Sequence, residues 1–246
     1  YTPHFLRGNA RLGLGAGCDE LDWLLTNSDD QVFLYDEKQI ANPADIPAEQ
    51  FRARQEVEQG GTRPVALRGQ MRIRAGERYV PYIYDVLYQR ADQTVSFDRY
   101  EFRLFSSFQA MHQRLREKEA EMGLCRLSSG YAWKWTSKEE PARPDIVLDG
   151  VGIWWNQQTG GWVRNDSAKG EMGSLYSLVG LDLNYAGVVI GPDPSYARRE
   201  RKIKVNRGQF FDNKVKSGVS EEDLLRYVLN TYATLLTRGI YGTYVY

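Results

Sequence analysis

A lone arginine near the end of the chain is the first residue whose type and place suit chemistry. Arg238 stands in "NTYATLLTRGIYGTYVY", where an apolar helical pattern breaks and a run rich in Tyr and Val follows. One interpretation is a solvated surface charge, which is what most arginines at such positions are. The other is anion binding, because a guanidinium stays protonated and offers a planar fork of donors.

A second concentration of cations and a set of aromatic residues point to nucleic acid. The basic segment "ARRERKIKVNR", residues 197–207, suits contacts with phosphates, and a solvated hairpin is the competing interpretation. Tryptophans stack on unpaired bases, whereas packing between short strands is their commoner role. The cations are Arg198, Arg199, Arg201, Lys202, Lys204 and Arg207. The tryptophans are Trp133, Trp135, Trp154, Trp155 and Trp162.

Other nucleotide-binding and catalytic motifs do not occur in the sequence. Gly8 and Gly13 have the spacing of a phosphate-binding loop, but Leu14 and Gly15 follow where Lys and Ser or Thr are required. The run "GLGAG" at 13–17 does not complete GxGxxG. The two cysteines and two histidines form neither a zinc-ligand spacing nor a Ser-His or Cys-His pair. We therefore expect reduced thiols and no metal site.

The overall composition limits the class of protein. A chain of 246 residues can bury one substantial core or two modest lobes. Its 32 basic and 32 acidic residues cancel, so any nucleic-acid site must be local. The longest strongly apolar run, "YAGVVIG", is too short to cross a bilayer, and no secretion signal opens the chain. These features predict a soluble, cytoplasmic protein without membrane contact.

The elements that must position these residues alternate between strands and helices. "QVFLYD" (31–36) and "YAGVVIG" (185–191) predict buried parallel strands, the second of them central. "SEEDLLRYVLNTYATLLT" predicts a helix with Ser220 as its N-cap, and "GTYVY" a final strand. The alternation indicates an α/β fold with a mainly parallel sheet flanked by helices. Further predicted strands are "RPVAL", "YEFRLF" and "LCRL", and further predicted helices cover 19–26, 47–59, 76–89 and 106–122.

Two features of the sequence bear on its organisation. Residues 124–162 hold Trp-rich runs separated by Pro and Gly, which predicts an inserted β hairpin. Gly60-Gly61 ends a helical pattern and is the candidate boundary, so the predicted units are 1–60 and 61–246.

Four segments, taken in order along the chain, resemble a known family. They are "QVFLYDEKQ" (31–39), "LRGQMRIRAGERYV" (67–80), "GSLYSLVGLDLNYAGVVIGPD" (173–193) and "NTYATLLTRGIYGTYVY" (230–246). Each is weak singly, but the ordered set, with "GLCRLSSGYAWKW" and "GVGIWWN" between them, covers nearly the whole chain. The set resembles the Schlafen group 3-type DNA/RNA helicase domain family.

That family is similar to superfamily 1 helicases, in which two RecA-like lobes close on ATP and move along single-stranded DNA or RNA. The resemblance implies a RecA-like sheet of the P-loop NTPase type, with 1–60 as a remnant of the first lobe and 61–246 as the second lobe. No Walker A or Walker B motif of the first lobe is identified here. ATP with Mg²⁺ is therefore expected to bind mainly to a first lobe in the same or another chain, and this chain alone is not expected to hydrolyse ATP.

The resemblance implies arginine fingers, which are cations that contact the transferred phosphoryl group. Arg72 and Arg238 match the two arginines that the second lobe points at ATP. Such fingers raise turnover by about a thousandfold or more, because they stabilise charge on the γ-phosphate oxygens. A surface charge is the alternative for both residues, and for Arg72 it is strengthened by Arg68 and Arg74 close by.

The resemblance also implies three kinds of further contact. Gln39 matches the glutamine that senses the γ-phosphate, although a polar residue at a strand end is an equal alternative. Asp182 occupies the place of an acid that holds the ribose. Gly180 and Thr237 are the remaining implied nucleotide contacts.

One motif departs from the family pattern. The family has His-Thr-x-Gln-Gly where this chain has Tyr176, Ser177, Leu178, Val179 and Gly180. Valine cannot make the hydrogen bonds of glutamine, which favours an impaired or specialised ATPase lobe over a full helicase. Ser177 keeps a hydroxyl and Tyr176 keeps a ring for stacking, so both are predicted nucleic-acid contacts.

Two functional hypotheses follow. The first is the second lobe of an ATP-dependent helicase or translocase, which becomes an enzyme only when a Walker A lobe is present. The alternative is a non-catalytic nucleic-acid-binding or protein-interaction module that kept the fold after the chemistry was lost. Val179 and the missing phosphate-binding loop motivate the alternative.

Overall fold

A computed structural model describes residues 18, 20–57, 65–67, 69–157 and 161–246. The chain divides into two units, Tyr1–Arg68 and Gly69–Tyr246. The predicted boundary at Gly60-Gly61 lies outside the described residues, as do the glycine-rich loop at 13–17 and Gly8.

The first unit contains two short helices, α1 (Glu20–Thr26) and α2 (Ala48–Val57), close to their predicted places. Leu21, Ile46 and Phe51 form its buried apolar cluster. The ring of Tyr35 stacks on Phe51 with 4.3 Å between ring centroids. This small cluster holds the 31–36 segment to α2.

The predicted strand at 31–36 is wrong for the part of the chain that the structure describes. The segment forms no strand there, and Val32 and Leu34 are 89% and 66% exposed. Phe33 and Tyr35 do pack inward, so the side chains alternate as in a strand but no ladder forms. Residues 65–67 of the predicted strand "RPVAL" also form no strand, and Arg63 and Pro64 lie outside the described residues.

The second unit is built on a seven-stranded sheet that confirms the predicted α/β class. Its spatial order is β1-β9-β6-β2-β5-β4-β3, and every neighbouring pair is parallel except β3 with β4. This mainly parallel sheet flanked by helices is consistent with a RecA-like fold. The strands are β1 (Glu101–Leu104), β2 (Cys125–Ser129), β3 (Ile146–Leu148), β4 (Val151–Trp155), β5 (Glu171–Gly173), β6 (Leu183–Val189) and β9 (Gly239–Val245). A separate antiparallel pair is formed by β7 (Pro194–Ala197) and β8 (Lys202–Val205).

The three longer helices of this unit begin within three residues of their predicted starts, whereas the short helices Leu175–Leu178 and Asn213–Lys216 were not predicted. Ser107 and Ser220 accept hydrogen bonds as N-caps from the backbone nitrogens of Ala110 and Asp223. Pro81 lies in the first turn of its helix, where its missing N–H is harmless. The helices are α3 (Tyr79–Leu87), α4 (Phe108–Met122), α5 (Leu175–Leu178), α6 (Asn213–Lys216) and α7 (Glu221–Leu236).

Helices α4 and α7 cover opposite faces of the central strand β6. Tyr185 and Val189 belong to the buried cluster that α4 completes, and no residue of α7 belongs to that cluster although α7 contacts β6. Strand side chains alternate between faces, so α7 packs on the other side. A Cβ on Gly187 would lie 2.6 Å from Leu115 of α4, and this glycine therefore permits the close approach of the helix.

The Trp-rich segment extends the main sheet, and the structure does not confirm a separate insertion. The predicted hairpin is present as β3 and β4, and β4 pairs with β5 of the main sheet. Trp155 and Trp162 are buried, and the indole nitrogen of Trp162 donates to Glu171 at 2.8 Å. Packing is therefore the role of these two tryptophans.

A buried carboxyl group lies just beyond the C-terminal end of β6. The Tyr232 hydroxyl donates to Oδ1 of Asp193 at 2.6 Å, and the carbonyl of Asp193 accepts from Asn206 at 2.6 Å. Its Oδ2 is buried without a partner among the described residues. Burial raises the pKa of Asp193 to about 7. This acid is therefore largely protonated below neutral pH.

Gly187→Ala should lower the free energy of unfolding by about 1–3 kcal/mol, because the added methyl group overpacks the contact with Leu115. Urea unfolding measures the change. Gly170→Ala is the matched control, since nothing lies within 4 Å of the Cβ position there. Equal stability of the two variants would contradict the proposed packing.

Asp193→Asn should flatten the pH dependence of stability. The folded-state pKa of Asp193, about 7, exceeds the usual value in an unfolded chain, near 4, so the folded protein binds the extra proton between these pH values. Wild-type stability therefore falls as the pH rises through this window, and the penalty is complete above about pH 7. Melting temperatures at pH 5 and pH 8 should show a smaller loss in the variant. Parallel curves for the two proteins would show that Asp193 ionises normally.

Candidate functional site

Arg238 lies between the end of α7 and the start of β9. Only 4% of the residue is exposed, and its Nε donates to the Thr234 carbonyl at 3.2 Å. Its own carbonyl accepts from the backbone nitrogen of Leu183, which begins β6. The guanidinium is therefore covered by protein. Contact with a ligand requires a shift of this side chain or of the groups that cover it.

Glycines on both sides of a bulge shape the backbone after Arg238. The pairing of Leu183 with Gly239 and of Tyr185 with Gly242 leaves one extra residue on β9, which is a β-bulge. A Cβ on Gly239 would lie 2.1 Å from the Gly242 carbonyl oxygen. No other residue type fits immediately after Arg238, so the sequence Arg-Gly is required by this geometry.

Arg72 reaches the same place from the stretch before α3. A hydrogen bond of 2.9 Å from the Arg74 nitrogen to the Ile240 carbonyl fixes that stretch beside β9. Nη1 of Arg72 pairs with Oδ1 of Asp182 at 3.1 Å, and Nη2 donates to the Thr237 carbonyl at 2.9 Å. The structure thus brings together residues that lie 110 and 165 positions apart in the sequence.

Asp182 directly precedes β6 and is placed by a tight turn. Gly180 has a φ of 76°, which side-chain-bearing residues rarely adopt, and Leu181 donates to the Leu178 carbonyl at 3.0 Å. The Asp182 side chain remains 46% exposed. Gly180 therefore acts through backbone conformation in this structure.

Thr237 contributes its backbone to the arrangement. Its hydroxyl donates to the carbonyls of Ala233 and Thr234, at 2.9 and 3.1 Å, and so faces its own helix. Its carbonyl holds Arg72. The predicted nucleotide contact of the Thr237 side chain would require these helix bonds to be exchanged.

Gln39 lies in the first unit, in a short 3-10 helix at Glu37–Gln39. Its Nε2 donates to Oδ2 of Asp36 at 2.7 Å. Asp36 directly follows an apolar run, a position typical of the Walker B acid that binds Mg²⁺ in P-loop NTPases, and it is not among the predicted site residues. The run "FLYDE" is the sequence signal that could have identified Asp36. The neighbouring acid, Glu37, forms an ion pair with Arg52 at 2.9 Å.

Tyr176 and Ser177 lie at the other end of the sheet. They belong to α5, which follows the C-terminal end of β5. Gly173 of β5 and Val188 of β6 both pair with Ser128 of β2, so they lie at the same height in the sheet. Asp182 lies six residues before Val188. The rise of a strand makes this separation about 20 Å. The structure therefore does not bring the two predicted nucleic-acid contacts to the arginines.

The two side chains differ in availability. Tyr176 is 46% exposed, and its ring centroid lies 6.3 Å from that of Tyr131. The hydroxyl of Ser177 donates to Oδ1 of Asn156 at 2.5 Å and accepts from the Ser174 nitrogen at 3.3 Å. Ser177 thus stabilises the start of α5, whereas Tyr176 presents a ring. Tyr131 lies within the quoted segment "GLCRLSSGYAWKW" but was not singled out as a site residue.

The basic segment forms the hairpin β7–β8, which continues from the C-terminal end of β6. Gln89 fixes the hairpin, because its side chain donates to the Arg201 carbonyl at 2.9 Å and accepts from Ile203 at 2.8 Å. Lys204 pairs with Glu200 at 2.6 Å and is partly neutralised. The exposed cations of the turn and its flanks are Arg198, Arg199, Arg201 and Lys202.

The described residues offer neither a metal-binding cluster nor a membrane-spanning helix. No group of three His, Cys, Asp or Glu residues there has a geometry that could hold a metal ion. Among the helices that the structure describes, none combines the length and apolar character needed to cross a bilayer. Both cysteines are free thiols, and burial raises the pKa of Cys125 to about 12.

Comparison with known proteins agrees with this architecture. The chain is 29% identical over 157 residues to uncharacterized protein YPL245W of Saccharomyces cerevisiae. The aligned region covers 60% of this chain and 34% of that relative. The chain thus spans about a third of the length of the curated relative that it matches. No solved structure matches. Residues 15–246 match the family described as "Schlafen group 3, DNA/RNA helicase domain". The chain therefore belongs to the Schlafen group 3 DNA/RNA helicase domain family.

Proposed function

We propose that the chain supplies the second RecA-like lobe, with a remnant of the first, of an ATP-dependent DNA or RNA helicase or translocase. The observation that carries this proposal is the convergence of Arg72, Asp182 and Arg238 where β6 and β9 begin. Three distant segments meet there, and two of the three side chains are permanent cations. The family to which the chain belongs supports the helicase assignment.

The surroundings of the arginines fit a phosphate group. Nε of Arg72 and Oγ1 of Thr234 are buried without hydrogen-bond partners among the described residues. Buried polar groups are normally paired, so an unpaired Nε on Arg72 and an unpaired hydroxyl on Thr234, whose carbonyl accepts from Arg238, suit a polar ligand. An anionic ligand with many acceptor oxygens matches this donor set better than a neutral one.

Arg238 and Arg72 have distinct roles in the proposed mechanism. Phosphoryl transfer develops charge on the γ-phosphate oxygens, and bound ATP with Mg²⁺ would supply the reacting group. Arg238, fixed between α7 and β9, stabilises that charge once its cover moves. Arg72 adds a second fork of donors beside it. Within the first unit, taken by itself, Gln39 is a candidate for contact with the γ-phosphate and Asp36 for contact with Mg²⁺.

This chain does not complete the nucleotide site under the proposal. No Walker A sequence occurs in its 246 residues. The main nucleotide-binding loop therefore belongs to another lobe, in the same protein or in a separate chain. That lobe is the proposed partner, and this chain contributes arginines across from it.

The nucleic-acid contacts are proposed at the opposite end of the sheet. The hairpin β7–β8 exposes Arg198 and Arg199, for which the structure shows no pairing carboxylate among the described residues. The exposed ring of Tyr176 lies at the same end of the sheet. Cations for phosphates and a ring for bases are the combination that single-stranded DNA or RNA requires.

A second candidate function is a non-catalytic nucleic-acid-binding module. Val179 is 44% exposed where the family has a hydrogen-bonding glutamine, and the guanidinium of Arg238 is covered. Both observations favour a lobe in which coupling to ATP has weakened. The two candidates share the basic hairpin and differ in whether the arginines affect turnover.

Arg238→Ala should reduce nucleic-acid-stimulated ATP turnover by about a thousandfold when this chain acts with its Walker A lobe. Arg238→Lys should recover only part of the loss, because an ammonium lacks the planar fork. Steady-state phosphate release measures the effect, and thermal melting reports separately on folding. Arg103→Ala, at an exposed position on β1, is the control. Full activity of a folded Arg238→Ala protein would remove the finger assignment and favour the non-catalytic module.

The double variant Arg198→Ala, Arg199→Ala should weaken binding of a fluorescent single-stranded oligonucleotide by roughly tenfold at moderate salt. Loss of two phosphate contacts should also reduce the salt slope by about 1.4, since each contact with a single strand contributes about 0.7. Fluorescence anisotropy at several salt concentrations gives both quantities. Arg103→Ala, Arg116→Ala removes the same charge from β1 and α4. Identical slopes for the two double variants would exclude the hairpin as the binding surface.

A further inference from the structure

Both terminal nitrogens of Arg72 already have hydrogen-bond partners within the protein. Its two terminal nitrogens are shared between a carboxylate, Oδ1 of Asp182 at 3.1 Å, and a backbone carbonyl, that of Thr237 at 2.9 Å. The carboxylate therefore occupies donor capacity that a phosphate would need. Asp182 thus contacts an arginine in this structure, whereas the resemblance implies contact with a ribose.

The ion pair has the properties of a replaceable contact. The side chains of Arg72 and Asp182 are 32% and 46% exposed. Exposed pairs of this kind contribute little to stability, because water screens them and their side chains lose freedom. A polyphosphate carries more charge and more acceptor oxygens than one carboxylate, so it competes well for the same fork.

The carbonyl contact and the carboxylate contact have different consequences. Thr237 directly precedes Arg238, and its carbonyl holds the Arg72 guanidinium against the backbone just before the second arginine. A neutral carbonyl does not repel an incoming anion as strongly as a carboxylate does. If only the bond to Asp182 breaks, the Thr237 carbonyl still holds Arg72 in place, and the positive charge of Arg72 is then free to bind a phosphate.

We propose that Asp182 is a latch: its carboxylate holds Arg72 until a polyphosphate displaces it, and it is not primarily a ribose ligand. The latch rests on the proposed function, since it assumes that Arg72 meets nucleotide phosphates. It adds a regulatory role that the finger assignment does not include. Nucleotide binding then has to break the Arg72–Asp182 pair, which lowers affinity and sets Arg72 free only when phosphate is present.

Tripolyphosphate and ATP, used as separate probes, distinguish a latch from a ribose contact. Asp182→Asn should raise the affinity of the 246-residue chain for tripolyphosphate by about two- to fivefold, the range expected for loss of an exposed ion pair. The affinity for ATP should rise by a similar factor. Isothermal titration calorimetry measures both, and thermal melting confirms that each variant is folded.

Two controls separate the latch from a general charge effect. Glu77→Gln removes a negative charge from the loop before α3, in the same segment as Arg72, without touching the ion pair. It should raise affinity less than Asp182→Asn. In an Arg72→Gln background, Asp182→Asn should have no effect, because the coupling between the two residues is then already lost.

Three results would overturn the latch. Weaker ATP binding with unchanged tripolyphosphate binding in Asp182→Asn would show that the acid holds the ribose. An equal gain with and without Arg72 would show a general charge effect. Absence of tripolyphosphate binding to every variant, including the wild type, would reject the latch. All three results leave the proposed function to the Arg238→Ala turnover measurement, because in that proposal another lobe holds most of the nucleotide.

Discussion

The parallel pairing of β6 with β9 is the constraint on which the candidate site depends. Leu183 opposes Gly239, so the two strands begin side by side, about 4.8 Å apart. The residues that precede them, Asp182 and Arg238, therefore become neighbours although they lie far apart in the chain. The bulge at Gly239–Gly242 and the hydrogen bond from Arg74 to Ile240 then admit a third segment, which brings Arg72.

The sheet also separates two kinds of surface. The polar and cationic groups that we propose to meet phosphate lie where the central strands begin, whereas the basic hairpin and the exposed Tyr176 lie where strands end. Helix α7 contacts both regions. The hydroxyl of Tyr232, on this helix, donates a hydrogen bond to Asp193 beyond the end of β6, and the C-terminal end of the helix leads to Arg238. A change in the position of this one helix would alter contacts at both ends of the sheet.

The sequence was sufficient to predict those elements whose signals are local. The helix after Ser220 has a cap, an acidic first turn and an apolar stripe, and it lies where the pattern placed it. Strand β6 is an apolar run between polar ends, which the interior of a parallel sheet requires. The 31–36 segment has an equally strand-like pattern but forms no ladder in the described residues, because a strand exists only where a partner offers backbone hydrogen bonds.

The sequence named the residues that the structure brings together at the candidate site, but it did not predict the hydrogen bonds among them. Motif resemblance named Arg72, Asp182 and Arg238, yet no local pattern could show that Arg72 is held by Asp182 and by the Thr237 carbonyl. Pairing across more than 100 residues depends on strand order, which a single sequence does not encode locally. Tyr176 and Asp182 stand only six residues apart in one quoted segment, yet the structure places them toward opposite ends of the sheet, because the chain crosses from the end of β5 to the start of β6 between them.

The central claim is that the start of β6 and β9 faces a nucleotide phosphate. An experimental structure of the protein with its Walker A lobe and a non-hydrolysable ATP analogue tests this claim most directly. The account predicts the γ-phosphate within hydrogen-bond distance of the Arg238 guanidinium, with Arg72 turned from Asp182 toward the phosphates. A nucleotide bound at the hairpin end of the sheet, or bound with both arginines still in their present contacts, would contradict it.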